Sequence, residues 1–585
     1  MTVNNYIKYL NSMNNANSSN ENAIAESQIS NPYYEKIRVD RNIGEYIIQK
    51  IKQAPNVVIL TGHAGDGKTG LLYQILKSLN ALNGNSISKF QEVYSQQLNT
   101  TIFYVKDMSE LNKEEQINVL KHALDIKNHG GSSILISNTG PLIEAFKGLE
   151  QAYPTGVSMT EIEMNLLKLM DENNGGIGKV GKYDVLLINM ARIDNVIIIP
   201  RLLRNLLADD LWIECNNCES KKKCPIYHNY LSVKENYVNV EKFISSYYRW
   251  LYETDRRLTI RQILSQISYS LTGNLTCDDI KNKLNGNTLF NYHFSNLFFG
   301  YVGVIKNKDA LQIKAIQELQ NLQLDSKELP NDYSFFVQED FSFLTQTVKM
   351  IIQPIWNSEM RRYTTSSSDL LKSERARELR KAVRRAQILF GNHDEDSISN
   401  MLNMLFSPVF SEYLKIRSKQ LNLREIREIR NKIVKALYTM FVGFPMGNFD
   451  EEVIYLPVNR KEMAQPVQLL LGKIEASSIH VEQNYITSVY DREEGYYRLE
   501  LRFENVDGKF PISLMLLDYF NKVVKGAVST KLNPSLSHGV DKLKSKLYQR
   551  YRFNGNQTEI KILIHTAKGP KIITLEIYDK GIYVK

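Results

Sequence analysis

Only four cysteines occur in the 585 residues of this chain, too few for a disulfide framework. Long apolar runs are also missing: none approaches the ~20 residues that a bilayer-crossing helix needs. The N-terminus lacks the basic-then-apolar pattern of a signal peptide. These absences exclude a secreted, disulfide-stapled protein and an integral membrane protein, and the expected location is cytoplasmic, with no membrane partner. A large excess of charge of one sign is absent as well. The formal net charge is +9, a mild excess for 67.5 kDa, which tolerates a nucleic-acid partner without demanding one. No internal repeat is visible. Hydrophobic content of 43% is ordinary for a globular chain, and the length is too great for one core.

What is present begins with the run Gly62-His63-Ala64-Gly65-Asp66-Gly67-Lys68-Thr69. It matches the phosphate-binding pattern G-x-x-x-x-G-K-[ST] at every fixed position. The apolar run Val57–Leu60 reads as a buried strand entering it. Leu71, Leu72, Ile75, Leu76 and Leu79 give the spacing of a helix leaving it. Glycines let the backbone curl so that N–H groups face a phosphate, and the helix N-terminus adds partial positive charge. Lys68 is the residue expected to reach the β/γ-phosphates, and Thr69 to ligate Mg²⁺. A nucleoside triphosphate, ATP, is the expected ligand.

The chain divides on composition into four parts. Residues 1–33 form an Asn/Ser-rich leader, expected to be flexible after a short Tyr6–Leu10 segment. Residues 34–299 alternate apolar strand runs with helices, beginning with an amphipathic helix at Ile43–Ile51. This predicts an α/β P-loop NTPase core with a parallel sheet. Strands are expected at Ile102–Val105, Ile134–Ile136 and Val185–Ile188, and a helix at Leu111–Ala123. Residues 300–445 read as mainly helical and basic. Residues 446–585 read as a β-rich α+β domain, with strands at Tyr497–Phe503, Ile560–Ile564 and Ile572–Ile577 and a turn at Lys568-Gly569-Pro570.

An ATPase needs an acidic residue at the end of a neighbouring strand to hold Mg²⁺ directly or through water. Asp107, after Ile102–Val105, is the candidate. Glu110 is the candidate for polarising the attacking water, although Met108, not a glutamate, follows Asp107 directly. Asn138 closes the strand Ile134–Ile136, where AAA+ ATPases place a polar residue between the γ-phosphate and the acidic pair; a simple turn Asn is the alternative. Thr259 reads as the cap of a lid helix, and Arg261 in its first turn is the candidate γ-phosphate contact. Arg256 and Arg257 are either arginine fingers for a neighbouring subunit or a solvated pair.

Cys215-x2-Cys218-x5-Cys224-Pro225-x2-His228 has spacings that can wrap one structural Zn²⁺, a zinc-knuckle-like insertion at 212–229. The fourth ligand is His228, or Cys277 from a distance, and buried apolar cysteines are the alternative. Two helices are rich in base: Arg375, Arg377, Arg380, Lys381, Arg384 and Arg385 after a Ser366–Asp369 start, and Arg417, Lys419, Arg424, Arg427, Arg430, Lys432 and Lys435. Such stripes attract phosphate backbones. The interspersed Glu374, Glu378, Glu425 and Glu428 equally support a solvated or protein-binding face.

The order of these pieces resembles the DptF family, the ATPase-like component of bacterial DNA-phosphorothioation-dependent restriction systems. The resemblance rests on the G-x-x-G-D-G-K-T loop, Ser137-Asn138-Thr139-Gly140-Pro141-Leu142, Ile188-Asn189-Met190-Ala191-Arg192-Ile193, the Trp212 to Asn229 block and Leu258-Thr259-Ile260-Arg261. It is specific in order from Leu60 to Gly273. It implies an AAA+-like ATPase that works with DptG-like and DptH-like subunits on double-stranded DNA lacking the sulfur modification, and that can form a homo-oligomer. No nuclease signature is visible. The alternative is a nucleotide-gated scaffold or switch of AAA+/STAND-like type with little hydrolysis.

Overall fold

The computed structural model describes residues 3–13, 31–82, 87–172, 175–282, 287–364, 374–446, 453–458, 465–487, 490, 495–526, 533–553, 559–566, 569–579 and 581–585. Residues 14–30 of the expected leader, the Ser366–Asp369 helix start and Lys568 lie outside them. The chain forms two compact units, 1–401 with 488–492, and 402–487 with 493–585.

The first unit is built on a six-stranded mixed sheet. Its strands are β1 (Val57–Thr61), β2 (Phe90–Ser95), β3 (Thr100–Val105), β4 (Ser132–Ile136), β5 (Gly178–Val180) and β6 (Tyr183–Asn189). Their spatial order is β2-β3-β4-β1-β6-β5. The inner four run parallel: β3 beside β4, β4 beside β1, β1 beside β6. β1 and β4 are buried on both faces, which is why they read as unbroken apolar runs. The two edge strands, β2 and β5, are antiparallel to their neighbours, so the sheet is mixed and not wholly parallel. β2 alternates exposed and buried residues and β5 is three residues long, so neither carries the apolar run that marks the interior.

The pleat sends alternate side chains to opposite faces. On one face Val58 and Leu60 join a core with the helices α2 (Asn42–Gln53) and α3 (Lys68–Ser78). On the other, Val57 and Ile59 pack with α4 (Lys113–Asp125) and α5 (Thr139–Ala152). α4 starts one residue after Asn112, whose side chain and that of Glu115 form a reciprocal capping box. The rest of this unit is mainly helical, apart from a short hairpin of Tyr301–Val302 and Ile305–Lys306, and includes α6 (Ile260–Thr272), capped by Thr259 with Gln262 in the same reciprocal arrangement. α6 ends at Gly273, in the left-handed conformation that terminates helices.

The N-terminus departs from expectation. Residues Asn5–Ser12 form a helix, α1, with Tyr6 and Leu10 fully buried. Tyr6 donates its hydroxyl to the Leu206 carbonyl, and Asn11 donates to the Leu275 carbonyl. The Asn/Ser-rich run from Asn14 to Asn20 draws attention away from this short amphipathic helix, which belongs to the core.

The second unit carries antiparallel sheets, as the β-rich reading of the C-terminal part anticipates. Five strands run in the order Gly581–Val584, Gly569–Tyr578, Glu559–Thr566, Val467–Glu475, Val453–Pro457. Three more pair Ile479–Ile486 with Tyr496–Phe503 and that strand with Phe510–Pro511. Helices Leu423–Val442, Leu514–Val524 and Pro534–Tyr551 accompany them. Among the described residues no helix is long and apolar enough to cross a membrane.

Candidate nucleotide site

β1 ends at Thr61 and α3 starts at Lys68, so the loop 62–67 turns between a buried strand and a helix N-terminus. Gly65 and Gly67 hold φ of +86° and +84°, in the left-handed region where a β-carbon is strained. A β-carbon on Gly65 would also meet Thr259 Oγ1 and Arg261 Cβ at 3.0 Å, so glycine here lets α6 sit against the loop. The Arg261 N–H donates to the Gly65 carbonyl at 3.2 Å.

The loop opens on a cavity of ≈ 400 Å³. Ala64, Gly65, Gly67, Lys68 and Thr69 line it from the loop, Asp107 and Glu110 from the end of β3, Asn138 from the end of β4, and Arg261 from α6. The sheet order explains the convergence. β4 lies between β1 and β3, so the residues ending these strands come out side by side at the carboxyl edge, where open α/β sheets bind ligands.

Lys68 is buried, and its Nζ donates to the carbonyls of Gly62 at 2.8 Å and His63 at 3.0 Å and to Asn138 Oδ1 at 3.3 Å. Burial pulls its pKa below the usual lysine range, while Asp66 and Asp107 oppose that shift. Asp107 Oδ1 accepts the Ser109 N–H at 2.9 Å and caps the short turn Met108–Glu110. That turn brings Glu110 back to the cavity despite its three-residue offset. Glu110 lies 3.9 Å from Lys106 Nζ.

Other loop residues hold the loop's own shape. Asp66 is buried away from the cavity wall and accepts the His63 N–H at 3.0 Å. Gly62 and His63 do not line the cavity. Arg256 and Arg257 both make contacts within the chain. Arg257 pairs with Asp66 at 2.9 Å, and Arg256 contacts Thr254 Oγ1 at 3.2 Å and Glu318 at 3.5 Å.

Sequence reasoning missed further residues of the wall, among them Met13 and Tyr34 from the N-terminal segment, Lys106 and Ser109 beside Asp107, and Ile260 and Leu264 on α6. The last two sit one residue before and three after Arg261, a spacing from which one helix face was readable. Nothing local marks Met13 or Tyr34, because they arrive by tertiary packing.

The cysteine block requires a correction. Among the described residues no group of three or more His, Cys, Asp or Glu side chains is placed to hold a metal ion, so neither His228 nor Cys277 completes a donor set with Cys215, Cys218 and Cys224. His228 turns its Nε2 to the Lys222 carbonyl at 3.1 Å. Cys224 accepts the Tyr227 N–H as the N-cap of helix Pro225–Glu235, and Cys215 Sγ accepts from Asn4 Nδ2 at 3.3 Å. Cys215, Cys218, Cys224 and Cys277 instead surround a small, mainly apolar cavity of ≈ 30 Å³. Burial pushes the Cys215 thiol up to about 11 and Cys224 up to about 12. The spacing was compatible with a tetrahedral site, but Cys215 packs from a helix, Cys224 caps the next one and His228 turns to the Lys222 carbonyl.

The basic helices spend much of their charge internally. In α7 (Glu374–Phe390) Arg385 is fully buried against Asp325 at 2.8 Å, Asn296 and the Gly303 carbonyl, with its guanidinium 3.9 Å from the Tyr301 ring centroid. Arg384 pairs with Asp332, Lys381 with Glu378 and Arg375 with Glu359. In the second unit Arg430 donates to the Ile479 carbonyl, Arg424 pairs with Glu428 and Lys432 with Glu412.

No family model, curated protein or solved structure matches the chain.

Proposed function

We propose that this chain binds and hydrolyses ATP as a subunit of a cytoplasmic bacterial DNA restriction complex acting on DNA that lacks phosphorothioate modification. The observation that carries the nucleotide assignment is the single cavity where the phosphate-loop residues Lys68 and Thr69 meet Asp107, Glu110, Asn138 and Arg261. The restriction role rests on the order of sequence motifs that resembles the DptF family, and the DptG-like and DptH-like subunits and double-stranded DNA are the partners it brings.

The donor set suits a magnesium-bound triphosphate: loop N–H groups and Lys68 for phosphate oxygens, the Thr69 hydroxyl and the Asp107 carboxylate for the ion. Bound Mg²⁺ supplies charge neutralisation on the phosphates. Lys68 bridges the loop and Asn138, so it senses both strands that flank the γ-phosphate position. Glu110 orients water, and Arg261 offers a second cation to the charge that develops in transfer.

A second reading, a nucleotide-gated switch with slow turnover, draws support from Glu110: it stands beside Lys106, an ammonium that competes with water for the carboxylate. One experiment separates the two. ATP hydrolysis is measured for wild type, Lys68→Ala and Asp107→Ala, with and without unmodified double-stranded DNA. DNA-stimulated turnover lost in both variants supports the ATPase. Tight ATP binding with negligible turnover, alone and with DNA, supports the switch. An absence of ATP binding in the wild type overturns both.

A further inference from the structure

The phosphate-binding loop contains a carboxylate, Asp66, buried behind the cavity wall that would meet the negative charges of a ligand. Its side chain has no solvent exposure. One oxygen, Oδ2, accepts the His63 N–H at 3.0 Å, and the other, Oδ1, meets Arg257 Nη1 at 2.9 Å. Arg257 Nη2 reaches onward to the Met190 carbonyl at 2.9 Å and the Ile193 carbonyl at 3.3 Å, on the turn that follows β6. One guanidinium therefore joins the loop, the neighbouring strand and the residues that lead into α6. The second tether is the Arg261 N–H on the Gly65 carbonyl.

We infer that Arg257 is a positioning residue of the nucleotide site: it neutralises Asp66 within the loop and fixes α6, hence Arg261, against it. This rests on the reading of the loop as a triphosphate site. The planar fork of arginine suits the task, since it serves a carboxylate and two carbonyls at once while a lysine ammonium is a point charge. Without the guanidinium, a buried carboxylate would stand uncompensated in the loop and repel a polyphosphate in proportion to its charge. The loss is therefore graded by ligand charge, ATP above ADP above adenosine. A purely structural role would not produce that grading.

The test is isothermal titration of ATP with Mg²⁺, of ADP and of adenosine into wild type, Arg257→Ala, Asp66→Asn and the double variant, each first checked for a cooperative thermal transition. The expected result is a loss of ATP affinity of at least tenfold in Arg257→Ala, with adenosine within threefold. In the Asp66→Asn background, which removes the carboxylate's charge, the same Arg257→Ala change costs threefold or less. Equal losses in both backgrounds, or an Arg257→Ala protein that binds ATP as wild type does, overturn the inference. Where Arg257→Ala does not fold, Arg257→Gln, which also removes the charge, takes its place with the same expected losses, and ATP affinity within threefold of wild type overturns the inference. Wild type that binds none of the three ligands overturns the nucleotide reading itself, an outcome separate from the failure of Arg257 alone.

Discussion

Lys68 Nζ and Asn138 Oδ1 stand 3.3 Å apart, joining the end of β4 to the loop that leaves β1. The two residues are 70 positions apart in the chain, and parallel pairing of their strands brings them together. Lys68→Ala is expected to remove ATP binding to below detection in a filter-binding assay. Asn138→Ala keeps ATP affinity within a few-fold and lowers kcat by about 10²-fold, the usual scale for removing one polar group aimed at a reacting phosphate. An Asn138→Ala enzyme with unchanged kcat would assign Asn138 to the turn alone.

Burial depresses the pKa of Lys68. The charged form is what a triphosphate needs, so binding draws a proton onto Lys68 wherever the free protein has lost it. ATP affinity should therefore decline on the alkaline side before the ordinary lysine value of about 10.4 is reached. Calorimetry in two buffers of different ionisation enthalpy should show net proton uptake that grows with pH. Its absence throughout the alkaline range would remove Lys68 from the phosphate contact.

His293 is fully buried beside Ser295, and its pKa is pulled down to about 3, first by desolvation and then by His228. The folded state keeps the ring neutral, while the unfolded chain protonates it at about 6.5. Stability is thus present above the unfolded value and lost as pH falls towards about 3. Between pH 7 and 5 the loss is on the order of 2 kcal/mol. Urea titrations of wild type and His293→Gln should differ in their pH dependence by that amount, and parallel curves would contradict the assignment.

Arg385 lies in a helix whose composition suggests a nucleic-acid stripe, yet it is held against Asp325 with no solvent exposure. Arg385→Ala leaves a buried carboxylate unpaired and should cost about 3–5 kcal/mol, read as a lowered melting transition. Any DNA affinity of the folded fraction should keep its salt dependence, since removal of a phosphate-binding cation would flatten that slope.

The Cys215 and Cys224 thiols, pushed up to about 11 and about 12, are protonated at pH 8. Native protein should alkylate slowly at both with iodoacetamide, at rates that rise with pH, and quickly in urea. Fast native labelling of either at pH 8 would place it outside the apolar cavity.

The parts legible in the sequence were those whose signal is local. Val57–Leu60 and Ile134–Ile136 read as interior strands because burial on both faces demands unbroken apolar runs, and the glycine-lysine run reads as the loop between strand and helix. Asp107 and Asn138 were legible because strand ends carry the residues that converge at a parallel sheet's edge. The rest was set by tertiary choice. Whether Arg257 points outward or inward depends on Asp66, 191 residues away. His228 and Cys277 were interchangeable by spacing, and only the fold decides which faces the other thiols. The edges β2 and β5 have too little apolar content to announce themselves.

The short helix α1 leaves the ribosome well before its anchors, the carbonyls of Leu206, Leu211 and Leu275, which lie between 200 and 264 residues downstream. At about 5–20 residues per second those partners emerge tens of seconds later. Tyr6 and Leu10 therefore wait for the partners that bury them in the folded unit. Nascent chains stalled before residue 275 would be open to protease at their first turn of helix, and those released beyond it would be closed.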